Sequence, residues 1–232
     1  MAASPSRRAR GTAAPPPAAD DARARLLHAG LRLFAHHGFT KTRTRALAEQ
    51  AQVNVAAISY YFGDKAGLYR AVFTEPMGSP EADIARFTGR QLTLPQALRG
   101  FYEGFTGPLR QGDLSRLCTR LHFREMLEPS GLFDFTEALG IEPLHRALLQ
   151  VLCRHLGLRR ADRDLHRLAV CLTALGVHLH VGRDIAEQLV PGILDGDKAI
   201  DQWADRLVDY GLGMVQAEAR RRGLALRLGH TA

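Results

Sequence analysis

A short segment between residues 42 and 65 carries side chains that bind anions and flat ring systems. Arg45 is the long side chain of this segment that we expect to reach a guanine edge, where its guanidinium can make two hydrogen bonds. Tyr60 and Tyr61 are adjacent, and the hydroxyl of Tyr61 can reach a phosphate while its ring packs beside the chain. Lys65 begins a predicted helix, where a cation opposes the helix dipole. We therefore expect an anion beside Lys65, and duplex DNA supplies both phosphates and base edges.

Two short predicted helices position these side chains. Thr42 is expected to cap the first, over residues 42–51, and Asn54 is expected to cap the second, over residues 55–62. The small core that holds the two together is predicted to contain Leu47, Ala51, Val53, Ile58 and Phe62. This arrangement is typical of a helix-turn-helix unit, whose second helix enters the major groove of DNA.

The face opposite that core predicts the contacts with DNA. Its residues at the start of the second helix are mostly small, which permits close approach, and Thr42 and Thr44 begin the first helix, where free N–H groups favour phosphate. The predicted DNA-binding set is Thr42, Arg43, Thr44, Arg45, Asn54, Val55, Ala56, Ala57, Ser59, Tyr60, Tyr61 and Lys65. The alternatives are that the two tyrosines only stiffen a small domain and that Arg45 is a solvated surface arginine.

The distribution of charge agrees with a polyanion-binding N-terminal region. The formal net charge of the 232 residues is +7. Residues 1–75 hold eleven Lys and Arg against five acidic residues, whereas the other 157 residues hold twenty against nineteen. A basic third on a nearly neutral remainder favours nucleic acid as the partner, although a merely basic tail is the alternative.

The motif GFTKTRTRALAEQAQVNVAAISYYFGDKAGLYRAVF resembles the DNA-binding domain of TetR-family transcriptional regulators. The similarity covers residues 22–73. It implies that Thr42, Thr44, Tyr61 and Lys65 touch the DNA backbone. It also implies that bases or nearby sugar-phosphate face Arg45, Val55, Ala56, Ala57, Ser59 and Tyr60. Gln52 stands where this family usually has Gly, and Ser59 where tyrosine is frequent, so the resemblance does not specify the operator sequence.

The rest of the chain resembles the CecR-like (CerR-like) branch of that family. The residues that carry this resemblance are YYFGDKAGLYRAVF, followed by HFREMLEPSGLFD from His122 to Asp134. Members of the branch often have Gly-Gln in the penultimate long helix, whereas Val177 follows Gly176 here. If that glutamine holds a ligand or the dimer, its role is missing or altered in this chain. Arg124 and Glu125 of the motif are expected to pair locally.

Helical periodicity extends over nearly the whole chain, so we predict an all-α fold. An N-terminal three-helix helix-turn-helix domain is expected to precede a larger C-terminal helical domain that binds a ligand and dimerises. The predicted divisions are a disordered Pro/Ala-rich basic arm (1–19), the DNA-binding domain with its linking helix (20–75) and the C-terminal domain (81–225), with the boundary at 76–80. Gly38 is expected to end the helix that precedes residue 42, and Asp64 is expected to cap the helix that begins at Lys65. Further helices are predicted at about 95–105, 115–128, 142–155, 162–189 and 198–222.

The C-terminal domain is expected to hold an effector pocket and a dimer interface. The candidate pocket residues are Phe101, Phe105, Leu121, Phe123, Met126 and His178, with ordinary core packing as the alternative for the apolar ones. His178 and His180 are two apart on a helix and point in different directions, so they cannot chelate one metal ion together. The candidate interface residues are Leu168, Leu172, Leu175, Trp203, Leu207, Tyr210 and Met214, with the core of one subunit as the alternative.

These features favour a homodimeric repressor that a small molecule releases from a palindromic operator, with activation left open. We expect double-stranded DNA, a small-molecule effector and a second copy as partners, and no cofactor, metal or membrane. Three widely spaced cysteines, Cys118, Cys153 and Cys171, and the lack of an apolar signal segment favour the cytoplasm. The alternatives are a non-specific or architectural DNA-binding protein and, least favoured, a helical enzyme, because no catalytic motif is present.

Overall fold

The computed structural model describes residues 19–75, 80–132, 134 and 140–226. The predicted N-terminal arm lies outside these ranges except for its last residue, and most of the predicted boundary at 76–80 lies outside them too. Within the described residues the regular secondary structure is all helical and no strand is present, which confirms the predicted all-α class.

Eleven helices occupy the described ranges. They are α1 (Ala19–Lys41), α2 (Thr44–Ala51), α3 (Ala56–Phe62), α4 (Lys65–Thr74), α5 (Pro80–Thr88), α6 (Leu94–Leu109), α7 (Asp113–Leu127), α8 (Ile141–Leu156), α9 (Arg163–Val181), α10 (Arg183–Leu189) and α11 (Gly196–Arg221). In this part of the chain no single helix is long and apolar enough to cross a membrane. The helices α9 and α10, which are bent by 70° relative to each other, together have the length and apolar composition of a membrane span.

Local hydrogen bonds set the ends of the first four helices. The backbone of α1 leaves the helix at Gly38, at φ 75°, as the sequence predicts, although one more turn follows it. Gln52 ends α2 in the left-handed region at φ 52°, a conformation that glycine adopts more readily. The backbone N–H of Ala56 donates to Asn54 Oδ1 (2.9 Å), and that of Gly67 donates to Asp64 Oδ1 (2.7 Å), so both predicted caps are confirmed.

Two departures from the predicted helices have simple causes. No helix is predicted from the sequence at α5, because Pro80 is placed in the boundary between domains. In the structure Pro80 begins α5, and proline is favoured in the first turn of a helix. The predicted long helix at 162–189 is broken at Gly182 into α9 and α10. A Cβ atom at Gly182 would lie 2.7 Å from the exposed His178 ring and 3.0 Å from the His178 carbonyl oxygen, so glycine allows the close approach at this bend.

The buried apolar residues form two clusters. The N-terminal cluster joins α1–α4, where it includes Phe34, Leu47 and Ile58, and it also takes in Cys118 and Leu121 from α7. The C-terminal cluster joins α5, α6, α8, α9 and α11. Because α7 contributes to the N-terminal cluster, packing extends past residues 76–80, and the predicted division of the chain into domains stays a prediction.

Gly67 controls how closely α4 follows α3. A Cβ atom there would lie 1.9 Å from the carbonyl oxygen of Phe62. A Cβ atom added at Gly104, in the middle of α6, would meet no atom of a neighbouring element within 4 Å. We expect Gly67→Ala to lower the free energy of unfolding by about 2 kcal/mol, because the α3–α4 junction must open. Gly104→Ala should raise it by about 0.5–1 kcal/mol through helix propensity.

Thermal unfolding followed by circular dichroism measures both changes. The expected shift is a decrease of about 4–8 °C in Tm for Gly67→Ala and an increase of about 1–4 °C for Gly104→Ala. An unchanged or higher Tm for Gly67→Ala would contradict the close contact at this junction.

Candidate nucleic-acid interface

The outward surface of α2 and α3 carries most of the predicted DNA-binding residues. Leu47 and Ile58 are buried and anchor the two helices to the N-terminal cluster. The predicted residues that are exposed to solvent are Arg43, Thr44, Arg45, Asn54, Val55, Ala56, Ser59 and Tyr60. Val55 and Tyr60 are large apolar side chains, and Tyr60 is 81% exposed. Such exposure is costly in water and indicates a surface that a partner covers.

The adjacent tyrosines have different environments. Tyr61 is half-buried and packs against the N-terminal cluster, whereas Tyr60 projects from α3. Their rings meet edge to face, with centroids 4.8 Å apart and an interplanar angle of 82°. The ring of Tyr61 therefore supports Tyr60 from one side and orients it outward.

Thr42 does not occupy the predicted position on this surface. Its side chain is only 3% exposed, and its hydroxyl donates to the carbonyl oxygens of Gly38 (2.7 Å) and Leu33 (3.3 Å). Arg43, in an extended conformation, is the residue that precedes α2. The prediction that Thr42 caps α2 is wrong, because the kink at Gly38 frees carbonyl groups that its hydroxyl satisfies. Contact of Thr42 with the DNA backbone stays a prediction.

Ala57 also lies differently from its neighbours. It is half-buried and packs against the N-terminal cluster, whereas Val55 and Ala56 face solvent. Ala57 therefore lies at the edge of the outward face, and its contact with DNA stays a prediction.

Lys65 has intramolecular partners that the sequence did not indicate. Its ammonium donates to the carbonyl oxygens of Phe39 (3.0 Å) and Thr42 (3.1 Å) and lies 4.1 Å from the centre of the Phe39 ring. Burial lowers the pKa of this amine. The inference that a cation at this helix start requires an external anion is wrong, because the end of α1 supplies the oxygens. An ammonium has three N–H groups, so a phosphate contact by the third stays a prediction.

The arginines at this surface differ in their ion pairs and hydrogen bonds. Arg43 and Arg45 are exposed, and neither makes an ion pair with any described residue. Arg23 on α1 instead makes two hydrogen bonds to Glu75 (2.6 and 3.0 Å) and lies 5.2 Å from the centre of the Phe62 ring. Arg43 and Arg45 are therefore available for phosphate and base contacts, whereas Arg23 ties α1 to the end of α4.

A buried polar junction holds these helices on α7. The hydroxyl of Tyr69 on α4 donates to Glu125 Oε2 (2.6 Å), while the backbone N–H and hydroxyl of Ser130 donate to Glu125 Oε1 (2.9 and 2.8 Å). Burial, followed by this hydrogen bond, raises the pKa of Tyr69 above its usual value. The sequence could not indicate this contact, because Tyr69 and Glu125 are 56 residues apart.

Arg124 makes a second link between α7 and the end of α1. It donates to the carbonyl oxygens of Ala35 (3.4 Å) and His36 (3.3 Å) and to Glu128 (2.9 Å). The expectation that Arg124 and Glu125 pair with each other is therefore wrong. His122, the third polar residue of this region, is buried edge to face against the Phe73 ring, and burial lowers its pKa to about 4. The imidazole is neutral near pH 7.

A cavity of about 450 Å³ lies beside α7, at the ends of α6 and α9. Of the six predicted pocket residues it contains Phe123. Phe101 and Leu121 are core residues in the two clusters, Phe105 packs on Gly176, and Met126 is exposed. His178 is exposed too, and His180, two residues further on, lines the cavity. Apolar periodicity identifies the inward side of a helix without distinguishing core from cavity, so ligand contacts by the residues outside this cavity stay predictions.

The predicted dimer-interface residues mostly face the interior of the same subunit. Leu168, Leu172 and Leu207 are buried in the C-terminal cluster, and Leu175, Trp203 and Met214 pack partly buried against it. Of this set only Tyr210 is exposed, at 55%. The prediction is wrong for the buried leucines, because the apolar stripes of α9 and α11 pack against α6 and α8. The outward faces of the same helices carry Val170 and Ala174 on α9 and Tyr210 and Gly213 on α11.

The described residues contain no cluster of three or more His, Cys, Asp or Glu side chains that could hold a metal ion.

Comparisons with known proteins agree with this geometry. Residues 94–215 match the C-terminal domain of the HTH-type transcriptional dual regulator CecR, and residues 26–72 match the tetR family of bacterial regulatory proteins. The chain is 31% identical to CecR of Shigella flexneri over 60% of this chain and 66% of the relative. It is 41% identical to the probable HTH-type regulator YttP of Bacillus subtilis (strain 168) over 22% of this chain and 25% of the relative. The chain thus spans less than two thirds of either relative.

The fold also resembles that of solved regulators. The crystal structure of HlyIIR, a hemolysin II transcriptional regulator, superposes with a TM-score of 0.59 and 19% identity, covering 83% of this chain and 98% of that one. A putative transcriptional regulator of Pseudomonas aeruginosa PAO1 gives a TM-score of 0.60 at 19% identity, covering 86% and 92%.

Lys65 offers a test of its intramolecular role. Lys65→Met keeps most of the side-chain volume but removes the ammonium donor from the Thr42 carbonyl group and leaves the Phe39 carbonyl group with the backbone N–H of Thr42 (3.3 Å). We expect the free energy of unfolding to fall by about 1–2 kcal/mol in the absence of DNA. Lys41→Met, which changes an exposed lysine at the end of α1, should leave it unchanged. Urea denaturation measures both variants. If the two variants had equal free energies of unfolding, Lys65 would contribute only to binding an external anion.

Proposed function

Because this chain belongs to the TetR family of transcriptional regulators and has a CecR-type C-terminal domain, we propose that it is a homodimeric repressor which a small molecule releases from a palindromic operator. It is a DNA-binding transcriptional regulator, and its relatives are regulators and not enzymes. The division into a DNA-binding part (20–75) and an effector-binding and dimerisation part (81–225) belongs to the same proposal.

The observation that carries the proposed DNA contacts is the outward face of α3. Ile58 anchors this helix, while small residues at its start and the 81% exposed Tyr60 point away from the core. Small residues let the helix backbone approach the floor of a major groove. We assign base contacts to Arg45, Val55, Ala56, Ser59 and Tyr60, and phosphate contacts to Arg43, Thr44, Tyr61 and the third N–H of Lys65.

The outer faces of α9 and α11 support the proposed homodimer. Val170 is 59% exposed, and Ala174 lies one turn further along the same face of α9. Tyr210 and Gly213 are exposed on α11. Packing these two helices against the same pair of a second copy would bury all four residues in a four-helix interface. A twofold axis would also place two α3 helices on successive half-sites of a palindrome.

Helix α7 supports the proposed response to a ligand, because its opposite faces meet the cavity and the DNA-binding helices. Thr119 and Phe123 line the cavity, whereas Cys118, Leu121 and Glu125 face α1 and α4. A ligand that prefers one position of α7 would therefore favour one position of α4 and of the DNA-binding helices. The free energy of DNA binding would become less favourable by at most the difference in ligand-binding free energy between the two states.

Arg45 provides the test of sequence-specific binding. Fluorescence anisotropy would measure binding of the full chain to the DNA upstream of its own gene and to an unrelated duplex of equal length. We expect Arg45→Ala to weaken specific binding by about 1–3 kcal/mol, roughly 5- to 150-fold, because it removes a base contact. Arg159→Ala, an exposed arginine distant in sequence from α2 and α3, should bind as the wild type does.

The same measurement separates a specific regulator from an architectural DNA-binding protein. Equal affinity of the wild type for both duplexes across a salt series would contradict the proposed operator recognition and would favour the architectural alternative.

Charge placed on the outer face of α9 tests the proposed dimer. Val170→Asp combined with Ala174→Asp would bring four carboxylates together at the twofold axis, so we expect a monomer in light scattering after size-exclusion chromatography. Leu127→Asp, which changes an exposed leucine at the end of α7, should leave the mass of the dimer unchanged. A dimer that survives both changes on α9 would place the interface elsewhere.

A further inference from the structure

The cavity beside α7 has a wall of mixed character. Its polar part comes from α7, α9 and α10 and its apolar part from α6, α7 and α9. The lining residues are Leu109, Ser115, Arg116, Thr119, Arg120, Phe123, His180, Val181, Arg183 and Asp184. A volume of about 450 Å³ is within the range of small-molecule sites.

Positive charge predominates in this wall. Arg116, Arg120 and Arg183 supply three guanidinium groups, and Asp184 is the one carboxylate of the lining. Arg116 pairs with Asp113 outside the lining (2.9 Å). Arg120 and Arg183 make no ion pair with any described residue. A concave wall with charges of one sign concentrates the field within the cavity, so it attracts anions and repels cations.

Other arginines of the C-terminal helices show that pairing is common here. Arg110 contacts Asp197 (3.0 Å) and Asp201 (2.6 Å), and Arg222 contacts Asp162 (2.7 Å). Some surface arginines are unpaired as well, but Arg120 and Arg183 come from different helices, 63 positions apart in sequence, and meet at one cavity. Their convergence distinguishes them from isolated surface cations.

His180 adds a neutral, fixed part of the wall. Its Nε2–H donates to the carbonyl oxygen of Phe105 (2.8 Å), and its Nδ1 lies 3.5 Å from the hydroxyl of Thr119. A carbonyl oxygen only accepts, so the hydrogen is on Nε2 and Nδ1 is the acceptor. Burial lowers the pKa of His180, the bond to Phe105 opposes this, and Arg183 lowers it further.

The apolar part of the wall suits a ring system. Leu109, Phe123 and Val181 contribute aliphatic and aromatic surface. Burying the apolar body of a ligand supplies affinity of roughly 25 cal/mol per Å², while a small number of polar groups fixes its orientation.

We propose that this cavity binds an organic anion, a molecule with an apolar body of about two fused rings and one carboxylate held by Arg120 and Arg183. The inference rests on the proposed ligand-responsive function and names the chemical class of its effector. A guanidinium matches a carboxylate in geometry and can bind it through two parallel hydrogen bonds.

The test uses three molecules of nearly equal shape and different charge. Isothermal titration calorimetry on the full chain without DNA would measure binding of 2-naphthoate, the neutral 2-naphthamide and the cationic 2-naphthylmethylammonium. We expect 2-naphthoate to bind about tenfold or more tightly than the amide and the ammonium to bind least, because charge-assisted hydrogen bonds form only with the carboxylate.

Matched variants locate the binding. In Arg120→Gln combined with Arg183→Gln, the preference for naphthoate over naphthamide should fall to about twofold or less, since both charges are lost. Arg159→Gln combined with Arg160→Gln removes two exposed arginines that lie outside the cavity lining, and it should keep the full preference.

Three results would overturn the inference. They are absence of naphthoate binding at millimolar concentration, equal or tighter binding of the amide or the ammonium, and a naphthoate preference that survives the loss of Arg120 and Arg183. DNA binding is measured separately. Naphthoate binding with unchanged DNA affinity would contradict ligand release but not the anion site. Normal DNA binding without naphthoate binding would contradict only the anion site.

Discussion

The buried hydrogen bond between Tyr69 and Glu125 is the contact on which the arrangement of the whole molecule depends. A carboxyl group 2% exposed to solvent is costly unless donors surround it, and Tyr69 and Ser130 together supply three. Because one donor comes from α4 and the carboxyl group from α7, satisfying this group fixes the DNA-binding helices on the rest of the protein. Arg124 strengthens the same junction by donating to the carbonyl end of α1.

This constraint gives α7 its two roles. One face completes the N-terminal cluster, and the other lines a positively charged cavity. Packed interiors have discrete arrangements and deform little, so a ligand that repositions α7 acts on α1 and α4 together. A shift of α7 away from α4 would separate the Tyr69 hydroxyl from Glu125 and leave the buried carboxyl group with fewer donors. The coupling proposed for this regulator therefore depends on a small number of buried polar groups.

Local interactions could be predicted from the sequence, and distant ones could not. The caps at Asn54 and Asp64 and the turn at Gln52 involve neighbours within three or four residues, so residue type alone indicates them. The partners of Lys65 are 23 and 26 residues away, and that of Tyr69 is 56 away. Apolar periodicity located the inward faces of α9 and α11 correctly, but it does not say whether the same subunit or a second copy covers them. Periodicity likewise does not say which of the inward-facing residues line a cavity.

Native-state amide hydrogen exchange tests directly whether α7 holds the DNA-binding helices in place. Tyr69→Phe removes the hydroxyl at the junction, and Tyr102→Phe removes a matched buried hydroxyl that donates to the carbonyl oxygen of Leu172 in the C-terminal cluster. The account predicts that Tyr69→Phe accelerates exchange about tenfold in α4 and the second half of α1, while α8 and α11 stay protected. Tyr102→Phe should do the reverse. Unchanged exchange in α1 and α4 of Tyr69→Phe, or equal acceleration throughout the protein, would contradict it.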